Sequence, residues 1–99
     1  MARKKLLITY DVGIDHTSDQ RRLRRVANIC LQYGQRVQKS VFECSVTDVQ
    51  KIKLVDSLIQ EMDNEKDSIR IYTLHESTKE KIIHLGKNEP VDFEEPLLF

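Results

Sequence analysis

Leu6 to Val12, LLITYDV, is an apolar run far too short to span a membrane, and it closes on a single carboxylate, Asp11. Its β-branched and aromatic residues suit a buried, pleated strand, and Gly13 marks where that strand stops. With a period of two, Leu6, Ile8 and Tyr10 share one face while Leu7, Thr9 and Asp11 share the other, so a carboxylate ends an otherwise apolar face. Burying it unpaired would cost roughly several kcal/mol, which places Asp11 at a rim with water, a cation or a donor. The local alternative is that Asp11 opens a turn and bonds its own backbone.

Beyond Gly13, Ile14 to Asp19 reads as a polar loop that ends in a helix cap at Thr17 or Ser18. Leu23, Val26, Ala27, Cys30 and Leu31 then fall on one helical stripe, and Gly34 offers a left-handed terminator. Arg21 and Arg25 point away from that stripe and Arg22 and Arg24 flank it, so four arginines crown one exposed helix end. Cations near a helix N-terminus oppose its dipole by roughly a few tenths of a kcal/mol each. A local conflict of this kind favours a functional explanation, anion binding, over an ordinary solvated face.

From Gln35 to Val46 the alternation changes phase near Lys39 and Ser40, which needs a bulge or a tight turn and predicts two short strands, 36–38 and 41–46. Thr47 to Gln50 spells a capping box, T-x-x-Q, opening a helix through about Met62. The apolar side expected for it is Val49, Ile52, Val55, Leu58 or Ile59, and Met62. Ser68 to Leu74, SIRIYTL, is the clearest remaining strand. Strand, helix, two strands, helix, strand is the α+β, ferredoxin-like βαββαβ sandwich, with two helices on one sheet face and the other face bare. Apolar groups on the bare face would need a cover, and a second copy packed face to face is the simplest one. Residues 1–80 form this domain. Residues 81–99 hold an extra strand, Lys81 to Leu85, and an acidic tail ending Leu97-Leu98-Phe99 that is expected to dock on the partner chain.

Ninety-nine residues make one domain with zero net charge, but the balance is uneven along the chain. Residues 1–53 carry eleven Lys or Arg against five Asp or Glu, +6, and the remainder carries −6. A basic first half suggests an anionic partner unless folding interleaves the halves. Cys30 and Cys44 have no metal-ligand spacing and are expected as reduced, buried thiols of a cytoplasmic protein. No signal peptide or membrane span is read at either end.

Tyr10-Asp11 at a strand end, the basic first helix, Gly34-Gln35-Arg36-Val37-Gln38 with Ser40-Val41-Phe42-Glu43-Cys44, and Asp67-Ser68-Ile69-Arg70-Ile71-Tyr72 together resemble CRISPR-associated protein two, the smaller adaptation subunit. The tail from Asp92 to Phe99 is similar to the subgroup that accompanies type I-C systems. The resemblance implies a homodimer whose two Asp11 carboxylates face each other and hold magnesium or manganese, with metal-dependent endonuclease activity on RNA or DNA. It further implies a structural part in spacer acquisition: binding double-stranded DNA and bridging dimers of the larger integrase subunit. Tyr10, Ser40 and Phe42 would then shape the cleft and interface, and Arg36 would join Arg21, Arg22, Arg24 and Arg25 as a nucleic-acid contact. A single carboxylate per chain with no histidine beside it predicts slow hydrolysis. The reading from a different class is a dimeric regulatory module without catalysis, since this fold does not fix function.

Overall fold

A computed structural model describes residues 2–13, 17–74 and 83–86. Its elements run β1 (Lys4–Val12), α1 (Thr17–Leu31), β2 (Gly34–Gln38), β3 (Val41–Val46), α2 (Asp48–Glu61) and β4 (Asp67–Leu74). The strands form one antiparallel sheet in the order β2-β3-β1-β4, the βαββαβ arrangement expected. Leu6, Ile8, Tyr10 and Val12 of β1 join Phe42, Cys44 and Val46 of β3 in a core that α1 covers with Leu23, Val26, Ala27 and Cys30 and α2 with Leu54 and Leu58. Strand alternation set this face, and the register confirms it by placing Leu6 opposite Cys44 and Ile8 opposite Phe42.

The other face of the sheet carries no helix among the described residues, and the apolar groups expected on it stand among polar ones. Leu7, Val41, Tyr72 and Leu74 share it with Lys5, Thr9, Asp11, Glu43, Ser45, Ser68 and Arg70. The phase change near Lys39 is a bulge between Arg36 and Gln38 followed by a two-residue turn, which leaves Arg36 opposite Phe42.

Two expectations are corrected. Gly34 does not end α1 in the left-handed region, since Gly86 alone among the described residues has positive φ. Gly34 instead opens β2 where a Cβ would overlap the Glu43 carbonyl oxygen and lie 2.6 Å from Cys44 Cα, so close backbone approach demands it. The capping box of α2 forms, with Thr47 Oγ1 accepting from the Gln50 amide and Gln50 Oε1 accepting from the Thr47 amide. Its core side, however, is Leu54 and Leu58, while Val49, Ile52 and Ile59 are 56, 70 and 59 % exposed on the opposite side of the helix. Two apolar stripes run along α2, and packing against the sheet selected the one with the two leucines. Of the extra strand expected over Lys81 to Leu85, Ile83 to Leu85 are described and stand exposed, paired with no strand among the described residues. The rest of that expected strand and the tail from 87 to 99 lie outside the described residues.

Candidate functional site

Asp11 is exposed at the end of a strand whose neighbours Tyr10 and Val12 are buried. It projects from the uncovered sheet face, opposite Ser68 of β4. The two neighbouring strands hold this end differently. Pairing with β3 runs out at Thr9 and Val41, supplemented by the Tyr10 amide donating to the Ser40 carbonyl at 3.0 Å. From Asp11 onward only β4 pairs with β1, through Ser68 and Asp67, and the Gly13 amide donates to the Lys66 carbonyl at 3.1 Å.

Tyr10 lies on the other side of the sheet. Its ring stacks on Phe42 with centroids 5.7 Å apart, and the Arg36 guanidinium sits 5.2 Å from the centre of the Phe42 ring. The Tyr10 hydroxyl donates to the Lys39 carbonyl at 3.4 Å. Burial pushes that hydroxyl up to about 12, against a smaller downward pull from Arg36, so it stays protonated at any working pH. Phe42 is fully buried and Ser40 is exposed in the β2–β3 turn, where its carbonyl anchors β1. The sheet therefore separates Asp11 from Tyr10, Phe42 and Arg36.

The arginine crown is divided as well. Arg22 is buried, forked onto Asp67 (Nε to Oδ2 2.7 Å, Nη2 to Oδ1 2.8 Å), and donates from Nη1 to Asp19 Oδ1 at 2.6 Å and from Nη2 to the Gly13 carbonyl at 3.2 Å. Its expected role as an exposed phosphate contact is corrected: two carboxylates and a carbonyl use its guanidinium in the interior. These hydrogen bonds raise the guanidinium pKa further above its already high value. Burial pushes the Asp67 carboxyl up, but hydrogen bonds from Arg22 and the Asp63 amide, with the charge of Arg22, outweigh it and hold Asp67 below the ordinary carboxylate value. Arg25 pairs with Glu61 of α2, half-exposed, and Arg36, partly buried, has Nε and Nη2 shut from solvent. Register is the reason, since Arg36 opposite Phe42 must face the helices. Arg21 and Arg24 are exposed on α1. The ion-pair role of Asp67 was missed because it lies 45 residues from Arg22 and no local pattern links them, whereas Asp19 stands three residues before Arg22 on α1, a spacing the sequence offers and the reading passed over.

The family model described as CRISPR associated protein Cas2 matches residues 4–82. The chain belongs to that family. Two similar Cas2 proteins are the CRISPR-associated endoribonuclease Cas2 1 of Moorella thermoacetica, 48 % identical over 94 % of this chain and 97 % of its own, and the CRISPR-associated endonuclease Cas2 of Halalkalibacterium halodurans, 48 % identical over 95 % and 98 %. The crystal structure of Streptococcus pyogenes Cas2 superposes with a TM-score of 0.76 at 44 % identity, covering 83 % of this chain and 99 % of that one.

For a Cas2 fold that is to hold a divalent ion, the donor set is sparse. Among the described residues no three His, Cys, Asp or Glu side chains gather around a point. Asp11 is one hard, solvated oxygen donor. Magnesium keeps several waters and binds through one or two carboxylates, so a single exposed Asp11 carboxylate fits the ion as one ligand of a site that other donors complete. Of the three histidines only His84 is among the described residues, exposed on 83–86; His16 and His75 are not. No described helix is long and apolar enough to cross a membrane.

Proposed function

We propose that this protein is a cytoplasmic homodimer that cuts phosphodiester bonds of RNA or DNA with magnesium or manganese, and that lies along double-stranded DNA as the bridge between dimers of the larger CRISPR integrase subunit. The observation that carries the reading is Asp11, an exposed carboxylate ending a buried strand on the one sheet face without helices. A second copy set against that face covers Leu7, Val41, Tyr72 and Leu74 and brings two Asp11 side chains to one axis. The names of the Moorella and Halalkalibacterium relatives, endoribonuclease and endonuclease, support hydrolysis.

A bound divalent ion supplies Lewis-acid activation of water and neutralises charge on the phosphate. Asp11 from each chain holds it, and Ser68, opposite Asp11, lines the approach. Tyr10 stays protonated and faces away, so it takes no proton, and turnover is slow for want of a placed base. Arg21 and Arg24, exposed on α1, bind phosphates without reading bases.

The test is Asp11→Asn, which keeps shape and removes ligand charge. Cleavage of single-stranded RNA and duplex DNA is measured with magnesium, manganese or chelator, alongside duplex binding and light scattering. The expected outcome is a dimer whose metal-dependent cleavage disappears in the variant while duplex binding persists. Metal-independent cleavage, or full activity in the variant, overturns the assignment of Asp11. No cleavage by the native dimer, with duplex binding intact, leaves a purely structural bridge.

A further inference from the structure

Past Tyr10, β1 has a neighbour on one side only. Asp11 and Val12 pair with Ser68 and Asp67 of β4, and nothing of β3 is left to hold them. The end of a one-sided ladder frays readily unless something ties it down. Here three ties converge just past Asp11. The Gly13 amide is bonded to the Lys66 carbonyl, the Gly13 carbonyl accepts from Arg22 Nη2, and the same guanidinium is forked onto Asp67, the residue opposite Val12. Asp67 is fixed from its own side as well, since its Oδ2 accepts from the Asp63 amide at 2.8 Å and its amide donates to the Asp63 carbonyl at 2.8 Å. Asp19 takes the remaining arm of Arg22 at 2.6 Å, and Lys66 Nζ lies 3.5 Å from Asp19. One guanidinium thus joins α1, the exit of β1 and the entry of β4.

We propose that Arg22 is a positioning residue for Asp11, its guanidinium clamping the exit of β1 to the entry of β4 so that the carboxylate is held where a shared divalent ion needs it. This rests on the proposed metal site at Asp11. A planar fork with fixed donor directions does what a lysine cannot, because an ammonium is a point charge that cannot grip two carboxylate oxygens and a carbonyl at set angles. Groups that orient a metal ligand change metal affinity about 10- to 100-fold when removed. Magnesium, with its strict octahedral demand, punishes a wandering carboxylate more than a flexible ion would.

The experiment compares the native full-length protein with Arg22→Lys and with Leu58→Ala, a core truncation in α2 that lowers stability while leaving every hydrogen-bond partner of Arg22 in place. Manganese binding is followed by electron paramagnetic resonance, with Asp11→Asn as the baseline for ions bound elsewhere. Amide hydrogen exchange is read at Gly13. The expected result is an Asp11-dependent manganese affinity about tenfold weaker in Arg22→Lys and within twofold of native in Leu58→Ala, with Gly13 exchange accelerated in Arg22→Lys alone. Native affinity in a folded Arg22→Lys, or equal weakening in both variants, overturns the proposal. If Arg22→Lys does not fold, the native Gly13 amide decides: protection equal to that of central β1 amides supports the clamp, and exchange at the rate of a frayed end overturns it. If the native protein binds no manganese through Asp11, the proposed metal site fails and with it the role of Arg22 toward an ion, whereas a metal site that survives beside an unprotected Gly13 sinks the clamp alone.

Discussion

Arg22 shows how far a single side chain departs from its local context. Four cations in the first turns of α1 looked unfavourable to the helix dipole, and two of them turn out to be answered by carboxylates: Arg22 by Asp19 one turn earlier on α1 and by the distant Asp67, Arg25 by Glu61 of α2. Removing one partner of a buried pair strands the other charge, so Arg22→Met should cost about 3–5 kcal/mol in urea unfolding, whereas Arg21→Ala should stay within about 0.5 kcal/mol. The pH dependence has a definite sign. Asp67 is held below its ordinary value of 3.8, so its contribution is fully present above that pH and is lost as pH falls below it toward the lowered folded value. Asp67→Asn should flatten the acid limb of stability against pH, and an unchanged limb in that variant would show that other carboxylates govern it. The thiols offer an independent check on burial. Cys30 is pushed up to about 12 and Cys44 to about 11, chiefly by burial, so neither should react with an aromatic disulfide reagent at pH 8 until the protein unfolds, when both should.

At the scale of elements, α2 carries the sharpest contrast. Its capping box was legible because the donors and acceptors involved lie three residues apart. Its buried side was not, because Ile52 and Ile59 are as apolar as Leu54 and Leu58 and periodicity alone cannot say which stripe meets the sheet. Leu54→Ala should therefore cost about 2–5 kcal/mol in denaturant unfolding, while Ile52→Ser should leave the unfolding midpoint of the single chain nearly unchanged. Similar losses at both positions would mean that Ile52 is covered in solution. The β2–β3 pair was legible as a break in alternation. Gly34 was read for its backbone freedom, when the space above it, filled by Glu43 and Cys44, is what forbids a side chain.

For the whole molecule, folding distributes the basic first half unevenly. Lys4 pairs with Asp48 and Arg25 with Glu61, while Arg22 is withdrawn from the surface. The exposed cations of α1 left to meet a duplex without displacing a carboxylate are Arg21 and Arg24. Each phosphate neutralised contributes roughly 0.9 to the slope of log affinity against log salt, so reversing both charges in a dimer should lower that slope by up to about four. Affinity should fall alike for unrelated duplex sequences. An unchanged slope would move the track to Arg3, Lys4 and Lys5 at the start of β1.

What the sequence by itself determined is what depends on near neighbours: the six elements and their order, the two alternating faces of β1, the cap of α2, the break in alternation near Lys39, and Asp11 at a strand end. Each follows from periods of two or 3.6 residues and from donors and acceptors a few residues apart. The tertiary structure alone decided which arginines are exposed, which stripe of α2 is core, that Tyr10, Phe42 and Arg36 lie across the sheet from Asp11, and that Asp67 is the partner of Arg22. Those outcomes depend on groups brought together from distant parts of the chain, where burial makes an unpaired charge costly and therefore selects its partner, and no local pattern carries that information.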